Sequence, residues 1–285
     1  MVARRRALLV LAALGAMLTA GCTADRADPG PDPSEPPSAT ASASPTTPPP
    51  APPPKKGACY DLAPGQLTGA HDDSTPVKCG KHHTTQTYAV KKMSRRTIGD
   101  PSAIDTETVA RAADRRCTRA LRKHLGAGKE EMALSRLRSA WFVPEEQEFA
   151  RGARWLRCDV LAHRTADSLA RLPRRTEGLL DSEGALDKWG TCAKASPRRL
   201  GAGKGQRMCS EKHNWRAVSI RTLGKKSERW PGARSVRKDV LDRCEDAVRS
   251  FTGNKTRTAS VGWLPPTKRQ WKSGRRYGIC WAETG

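Results

Sequence analysis

The sequence predicts an α+β protein of two tandem, duplicated modules, each an antiparallel sheet packed on one main helix and fastened by disulfides. Three observations predict this architecture. A motif of seven matched positions occurs twice without a gap, an amphipathic helical pattern occurs twice, and each half has four cysteines at equivalent places. Such repetition indicates one structural unit used twice. We therefore define module 1 as residues 57 to 180 and module 2 as residues 181 to 285.

The repeated motif closes each module. It reads W-x-x-P-x-x-x-x-[FW]-x-x-G-x-R-[WY]-x-x-C, from Trp141 to Cys158 and again from Trp263 to Cys280. Chance agreement is improbable in a chain with only 8 Trp and 9 Cys. The pattern predicts a strand up to the Trp, a turn or short helix opened by Pro144 or Pro266, and a last strand that ends beyond the Cys. We interpret the motif tryptophans as core residues rather than as a sugar platform.

Residues 1 to 22 have the features of a lipoprotein signal peptide. Arg4, Arg5 and Arg6 precede an apolar run from Ala7 to Met17, and small residues lead to Cys22. This is the layout of a secretory signal. A Cys directly after Ala-Gly resembles a bacterial lipobox, in which cleavage before Cys22 is followed by lipidation of its thiol. We expect palmitate-type acyl chains to anchor the protein at the extracytoplasmic face of the cell membrane. Plain secretion is the alternative.

The composition of residues 23 to 56 predicts a disordered tether. This Pro-, Ser- and Thr-rich stretch contains 12 of the 21 prolines and lacks hydrophobic periodicity. Such a tract buries too little apolar surface to offset the cost of ordering, and at ~3.1 Å per residue it reaches roughly 100 Å at most. Glycosylation of its hydroxyl groups and an unmodified spacer are both open interpretations.

Each module continues with a predicted strand and a predicted helix. A Cys and a His four residues later precede β-branched and aromatic residues that favour a strand, at Cys79 to His83 and at Cys209 to His213. Residues 109 to 126 then align without gaps to residues 236 to 253. Both segments place apolar residues at three- and four-residue spacing and end at a Gly, which predicts a helix with a left-handed C-cap. Between the modules, four leucines suggest that part of residues 164 to 186 packs: Leu169, Leu172, Leu179 and Leu180.

Eight cysteines remain beyond Cys22, four in each module. An export signal places them in a compartment that permits disulfides. If both modules pair internally and identically, three schemes are possible. We favour first with second and third with fourth: Cys59–Cys79, Cys117–Cys158, Cys192–Cys209 and Cys244–Cys280. Zinc is the competing interpretation at Cys79, His82 and His83, but module 2 offers only Cys209 and His213 there and the chain has no C-x-x-C.

These residues together resemble the septum formation domain of actinobacterial membrane proteins and lipoproteins, over nearly all of residues 57 to 285. The chain departs from the family in two places. The aromatic-Pro-Gly element before the helix is present as Trp230-Pro231-Gly232 but missing from module 1. A family Glu three residues after the His is replaced by Gln86 and Arg216. The resemblance implies a cell-envelope role connected with division and carries over no catalytic residues.

The charge of the chain belongs to the modules. The formal net charge is +23; Arg4 to Arg6 account for +3 and residues 23 to 56 for −1, which leaves +21 on residues 57 to 285. Such a charge creates a positive potential. Next to a membrane we expect anionic lipid or anionic wall polymers as partners, with division or envelope proteins as further candidates. Nucleic acid is not expected outside the cell.

Signatures of catalysis and of bound cofactors are absent from the sequence. We find no nucleophile elbow, glycine-rich phosphate loop or paired catalytic carboxylates. The first hypothesis is therefore a non-enzymatic, lipid-anchored envelope protein with a binding or scaffold role in septation or wall growth. The alternative is a wall-active hydrolase or transferase with a site between the modules, for which four residues are candidates: Glu145, Glu146, Glu148 and His83.

Four residues are candidates for contact with a ligand: His83, His213, Arg154 and Arg276. For the histidines, the alternative is a hydrogen-bonding role in the turn beside a disulfide. For the arginines, it is an ion pair or stacking on the neighbouring aromatic ring.

Overall fold

The structure is a computed structural model that describes residues 48–94, 107–225, 227–238, 241–253 and 260–284. All of them belong to one compact unit, Thr47–Gly285. The predicted signal peptide, Cys22 and most of the predicted tether lie outside the described residues. Within the described ranges, no helix has both the length and the apolar character needed to span a bilayer.

Module 1 contains a four-stranded antiparallel sheet in the order β1-β2-β4-β3. Its helix α1 covers one face of the sheet, and two shorter helices and a 3₁₀ turn complete the module. The strands are β1 (Cys59–Tyr60), β2 (Thr85–Lys92), β3 (Leu137–Phe142) and β4 (Trp155–Ala162), and the helices are α1 (Glu107–Leu125), α2 (Lys129–Leu134) and α3 (Glu146–Ala150), with the turn at Pro64–Thr68.

Module 2 contains a five-stranded antiparallel sheet in the order β6-β5-β7-β9-β8. The strands are β5 (Thr191–Ala193), β6 (Gln206–Met208), β7 (Trp215–Thr222), β8 (Val261–Leu264) and β9 (Tyr277–Glu283). The helices are α4 (Ala185–Trp189), α5 (Pro197–Gly201), α6 (Ala233–Lys238), α7 (Leu241–Phe251) and α8 (Lys268–Lys272). The α+β prediction is confirmed, and the closing strand, helix and strand of each motif lie where the motif predicts them.

The central strand pairs of the two sheets share one register. In module 1 a β-bulge interrupts the pairing of β2 with β4 between Thr87 and Ala89, and Ala89 then lies opposite Cys158. In module 2 the bulge lies between Ala217 and Ser219, and Ser219 lies opposite Cys280. The register therefore makes Ala89 the positional equivalent of Ser219.

The predicted helical pattern forms the main helix of module 1. Five residues of α1 are buried at four-residue spacing: Val109, Ala113, Cys117, Leu121 and Leu125. Gly126 follows with φ of 67°, the left-handed conformation that a glycine adopts without a steric penalty. In module 2, Val236, Cys244 and Val248 are buried and Gly253 has φ of 68°, whereas Val240 lies outside the described residues.

The four disulfides are the pairs favoured from the sequence: Cys59–Cys79, Cys117–Cys158, Cys192–Cys209 and Cys244–Cys280. In each module one bond closes a local loop and the other ties the main helix to the final strand. Because Cys79 and Cys209 are oxidised, neither offers a thiolate to a metal. Among the described residues, no group of three or more His, Cys, Asp or Glu is arranged to hold a metal ion.

The two modules are joined by packing in both directions. Trp189 and Met208 of module 2 lie in the hydrophobic core of module 1, and Leu134 of module 1 lies in that of module 2. The Arg136 amide donates to the carbonyl of Trp189 at 2.7 Å. The predicted packing of residues 164 to 186 is confirmed, since Leu172 and Leu180 are buried in the core of module 1. The modules therefore form one body.

A buried charge cluster lies on the face of the module 1 sheet opposite α1. Arg157 lies between two carboxylates, with Nη2 at 2.5 Å from Asp72 and 3.0 Å from Asp159, and all three side chains are at most 2% exposed. Its guanidinium stacks between the rings of Tyr60 and Phe142, at 4.1 and 4.2 Å from their centroids. Module 2 has Ile279 and Trp281 at the positions of Arg157 and Asp159, so the cluster belongs to module 1 alone.

The free energy of unfolding should decrease as pH rises from about 4 to about 7, because the buried Asp159 carboxyl ionises over this range. Burial raises the pKa of Asp159 to about 6, while Arg157 limits the rise. The Asp159 carboxyl therefore binds its proton more tightly in the folded state than in the unfolded state. The protonated carboxyl contributes up to about 3 kcal/mol to the free energy of unfolding, and this contribution is lost as the carboxyl ionises. Urea unfolding at several pH values should show this decrease in the free energy of unfolding for the parent protein and a smaller decrease for Asp159→Asn. Identical pH dependence in the two proteins would refute the assignment.

Candidate functional site

A groove runs between the outer edge of β2 and helix α1. It has a volume of about 940 Å³, and four consecutive strand residues, Tyr88 to Lys91, line it. Alternate residues of a strand point to opposite faces, so lining by four in a row places the groove along the strand edge. Among the described residues this edge is open beyond Thr87, where the pairing of β2 with β1 and the residues just before β1 ends. We call this space the α1–β2 groove.

The α1–β2 groove is strongly basic. Six cationic side chains line it: Lys56, Lys91, Arg115, Arg116, Arg119 and Lys123. The one acidic residue among its lining residues is Glu177. Three of the cations recur every four residues on α1, which places them in one row on its solvent-facing side. Like charges at this spacing repel one another, so an anion in the groove would relieve the repulsion.

The floor of the groove is neutral and held in place. The ring of His124 stacks on Tyr88 with 5.3 Å between centroids, and its Nε2 lies 2.8 Å from the Thr176 hydroxyl. Burial lowers the pKa of His124, with a further decrease from Lys56 and an opposing effect of Glu177. The Tyr88 hydroxyl donates to the Cys117 carbonyl at 2.6 Å. The floor is therefore preorganised, and the cations stand on its rim.

The row of cations has no counterpart in module 2. The helix alignment places Asp242, Asp246 and Ser250 where module 1 has Arg115, Arg119 and Lys123. The positive groove is thus a feature of module 1 rather than of the shared architecture.

The two histidines that the sequence suggests as ligand contacts do not line the α1–β2 groove, and their ring nitrogens lie close to backbone carbonyls. His83 is fully buried, with its ring nitrogens at 3.0 Å from the Lys81 carbonyl and 3.3 Å from that of Pro173. His213 is partly buried, and its Nδ1 lies 2.7 Å from the Glu211 carbonyl. In both modules the His therefore orders the turn beside the local disulfide.

The two motif arginines stack on motif aromatics. The Arg154 guanidinium lies 3.5 Å from the centroid of Phe149 and donates to the Ala153 carbonyl at 2.7 Å. Arg276 lies 5.2 Å from the ring centroid of Trp271 and donates to the Lys225 carbonyl. These contacts fix the turn between the short helix and the last strand.

The candidates for a wall-active site do not line the groove. Glu145 and Glu146 are exposed at the start of α3, and Glu148 pairs with Arg151 and accepts a hydrogen bond from the Ala51 amide at 2.7 Å. His83 is held as described above. The structure gives none of these groups a place in the α1–β2 groove.

Both residues that replace the family Glu have structural partners. The Gln86 carboxamide accepts from the Thr176 hydroxyl at 2.6 Å and donates to the Arg174 carbonyl at 3.0 Å, which ties residues 174 to 176 to the sheet. Arg216 donates to Asp187 at 2.5 Å. These interactions serve the fold.

Sequence reasoning identified the net charge but not this groove. The sequence does indicate one wall of the groove, because Arg115, Arg119 and Lys123 are spaced by four in a segment predicted to be helical. What the sequence could not supply is the free edge of β2 opposite that row.

Comparison with known proteins supports one family. A family model described as septum formation matches residues 56–280, which is more than half of the chain. No curated protein and no solved structure matches significantly.

Proposed function

The chain belongs to the septum formation family, and from that premise we propose that it is a non-enzymatic, lipid-anchored binding or scaffold protein of septation or wall growth. Membership supports a role in the cell envelope connected with division. The disulfides support an extracytoplasmic location, since such bonds persist in oxidising compartments. We further propose that the two modules are copies of one unit, in line with their shared register.

The α1–β2 groove is the observation that carries the binding role. Its six cations around a preorganised neutral floor suit an anionic partner. Residues 48–56 at the end of the predicted tether are ordered, and the Ala51 amide donates to Glu148. A lipid anchor at Cys22 and a tether of residues 23 to 47, which would reach roughly 80 Å at most, would keep the groove within reach of anionic membrane lipids and anionic wall polymers. Attraction to such a partner decays over ~8 Å at physiological ionic strength.

Co-sedimentation with anionic vesicles and with purified wall tests this proposal. The protein is the chain without residues 1 to 22, so that no lipid contributes. At low salt we expect it to sediment with anionic vesicles or wall but not with neutral vesicles, and a several-fold increase in salt should release it. Arg115→Asp/Arg119→Asp, which copies the charges of module 2, should weaken binding by about tenfold or more.

The matched control is Arg198→Asp/Arg199→Asp. This pair is exposed on α5 of module 2 and gives the same change in net charge. It should reduce binding much less than the groove variant. Equal losses in the two variants would show that total charge rather than the groove is responsible, and binding that is indifferent to salt would refute the electrostatic account.

A further inference from the structure

In module 2, the strand edge that corresponds to the β2 edge of the α1–β2 groove binds a carboxylate that comes from module 1. Glu130 of α2 accepts a hydrogen bond from the Ile220 amide at 2.9 Å and from the Ser219 hydroxyl at 2.8 Å. Arg221 supports this hydroxyl by donating to it at 2.9 Å. The carboxylate thus binds at the bulge of β7, on the edge that β5 leaves open beyond Arg216.

The same positions in module 1 line the groove. By the shared register, Ala89, Val90 and Lys91 correspond to Ser219, Ile220 and Arg221. All three module 1 residues line the α1–β2 groove. The backbone that presents an amide to Glu130 in module 2 is therefore repeated next to the cationic row of module 1.

We infer that the α1–β2 groove is a binding site for a carboxylate-bearing polypeptide segment, which places a Glu or Asp on the outer edge of β2 at Val90. This inference rests on the proposed function and specifies its partner as an acidic protein segment. The amide supplies a directional hydrogen bond, and Arg115, Arg119 and Lys123 supply charge. In module 2 the site is filled by the chain's own α2, whereas no described segment of the chain fills the groove of module 1, which leaves it available to a segment from another molecule.

A carboxylate fits these donors better than a phosphodiester polymer does. In module 2 one carboxylate oxygen of Glu130 accepts both hydrogen bonds, and the segment that bears it is a short helix packed on the strand. The edge of β2 offers the same extended backbone for polypeptide contact. A polyphosphate chain would pair with the cations, but it has no polypeptide backbone to place against the strand edge.

The test measures fluorescence anisotropy of a labelled peptide of repeated Ala-Glu-Glu-Ala with the full chain in neutral detergent. The matched peptide has Gln in place of Glu, and short-chain polyphosphate serves as the competing anion. We expect the Glu peptide to bind and the Gln peptide not to bind. Ala89→Ser introduces the hydroxyl that module 2 uses and should tighten binding of the Glu peptide about threefold to tenfold, with a smaller effect on polyphosphate. Arg115→Asp/Arg119→Asp should weaken binding of the Glu peptide and of polyphosphate.

The outcomes separate this inference from the proposed function. If Ala89→Ser leaves Glu-peptide affinity unchanged in a protein with an unaltered melting temperature, the carboxylate site is refuted. If the chain binds polyphosphate through Arg115 and Arg119 but not the Glu peptide, the partner is a polyanion and the groove function stands. If the groove variant binds every anion as the parent does, both proposals are refuted.

Discussion

Arg157→Met is expected to destabilise the protein by about 3 to 5 kcal/mol at pH 7, the largest loss from any single substitution considered. The change leaves Asp72 and Asp159 in the sheet without their cation, at exposures of 2% and 0%. Removal of one partner from a buried ion pair has a cost of this size because the remaining charge is desolvated and uncompensated. Methionine retains much of the volume, so the effect reports on charge rather than on a cavity.

Urea unfolding followed by tryptophan fluorescence measures the loss. Arg174→Met is the matched control, because the Arg174 side chain is exposed and its replacement should change stability by less than ~0.5 kcal/mol. Adding Asp72→Asn and Asp159→Asn to Arg157→Met should recover part of the loss, since no buried charge then remains. A loss in Arg157→Met as small as in the control would mean that the cluster is not a stabilising unit.

Opening the Cys117–Cys158 bond with a Cys117→Ala/Cys158→Ala double substitution is expected to cost about 4 kcal/mol. The bond joins residues 41 apart in sequence, and the chain-entropy model gives about this value for a loop of that length. It also ties α1 to the central strand β4, with both sulfurs fully buried. Thermal unfolding under oxidising conditions should therefore show a large fall in melting temperature.

The matched comparison is Cys192→Ala/Cys209→Ala in module 2. That bond spans 17 residues and should cost about 3 kcal/mol in the same model. An unchanged melting temperature in the Cys117→Ala/Cys158→Ala protein would show that burial of α1 alone holds the helix on the sheet.

The sequence predicts most of the fold because local patterns and repeated motifs supply the constraints. The spacing from Val109 to Leu121 requires a helix with one apolar face, and the two copies of the closing motif delimit the last strands. If both modules pair internally and identically, the repeated cysteine pattern also reduces the disulfide schemes to three. Each of these signals is local or repeated, so it can be read without knowledge of the tertiary structure.

Contacts between distant residues could not be predicted in this way. Asp72 and Arg157 are separated by 85 residues, and nothing in either local sequence identifies the partner. Arg157 and Asp159 flank Cys158 in an otherwise apolar strand, which does signal a buried polar face. Helix α2 is only six residues long, too short for a periodic pattern, so its docking on β7 depends on an edge that becomes visible only in the assembled sheet.

The groove itself combines a predictable part and an unpredictable one. Arg115, Arg119 and Lys123 lie on one side of a helix that the sequence predicts. The opposite wall exists because β1 is only two residues long, and among the described residues its side of β2 is unpaired beyond Thr87. Strand length and pairing of this kind are set by tertiary packing rather than by local propensity.

The most direct test of the proposed role in septation is imaging of the full chain in dividing cells. For this, the C-terminus of the chain is fused to a fluorescent protein that folds outside the cytoplasm. The account predicts enrichment at the septum for the parent and for Arg198→Asp/Arg199→Asp. It predicts an even distribution around the envelope for Arg115→Asp/Arg119→Asp at equal abundance. An even distribution of the parent, or septal enrichment that survives reversal of the groove charges, would contradict it.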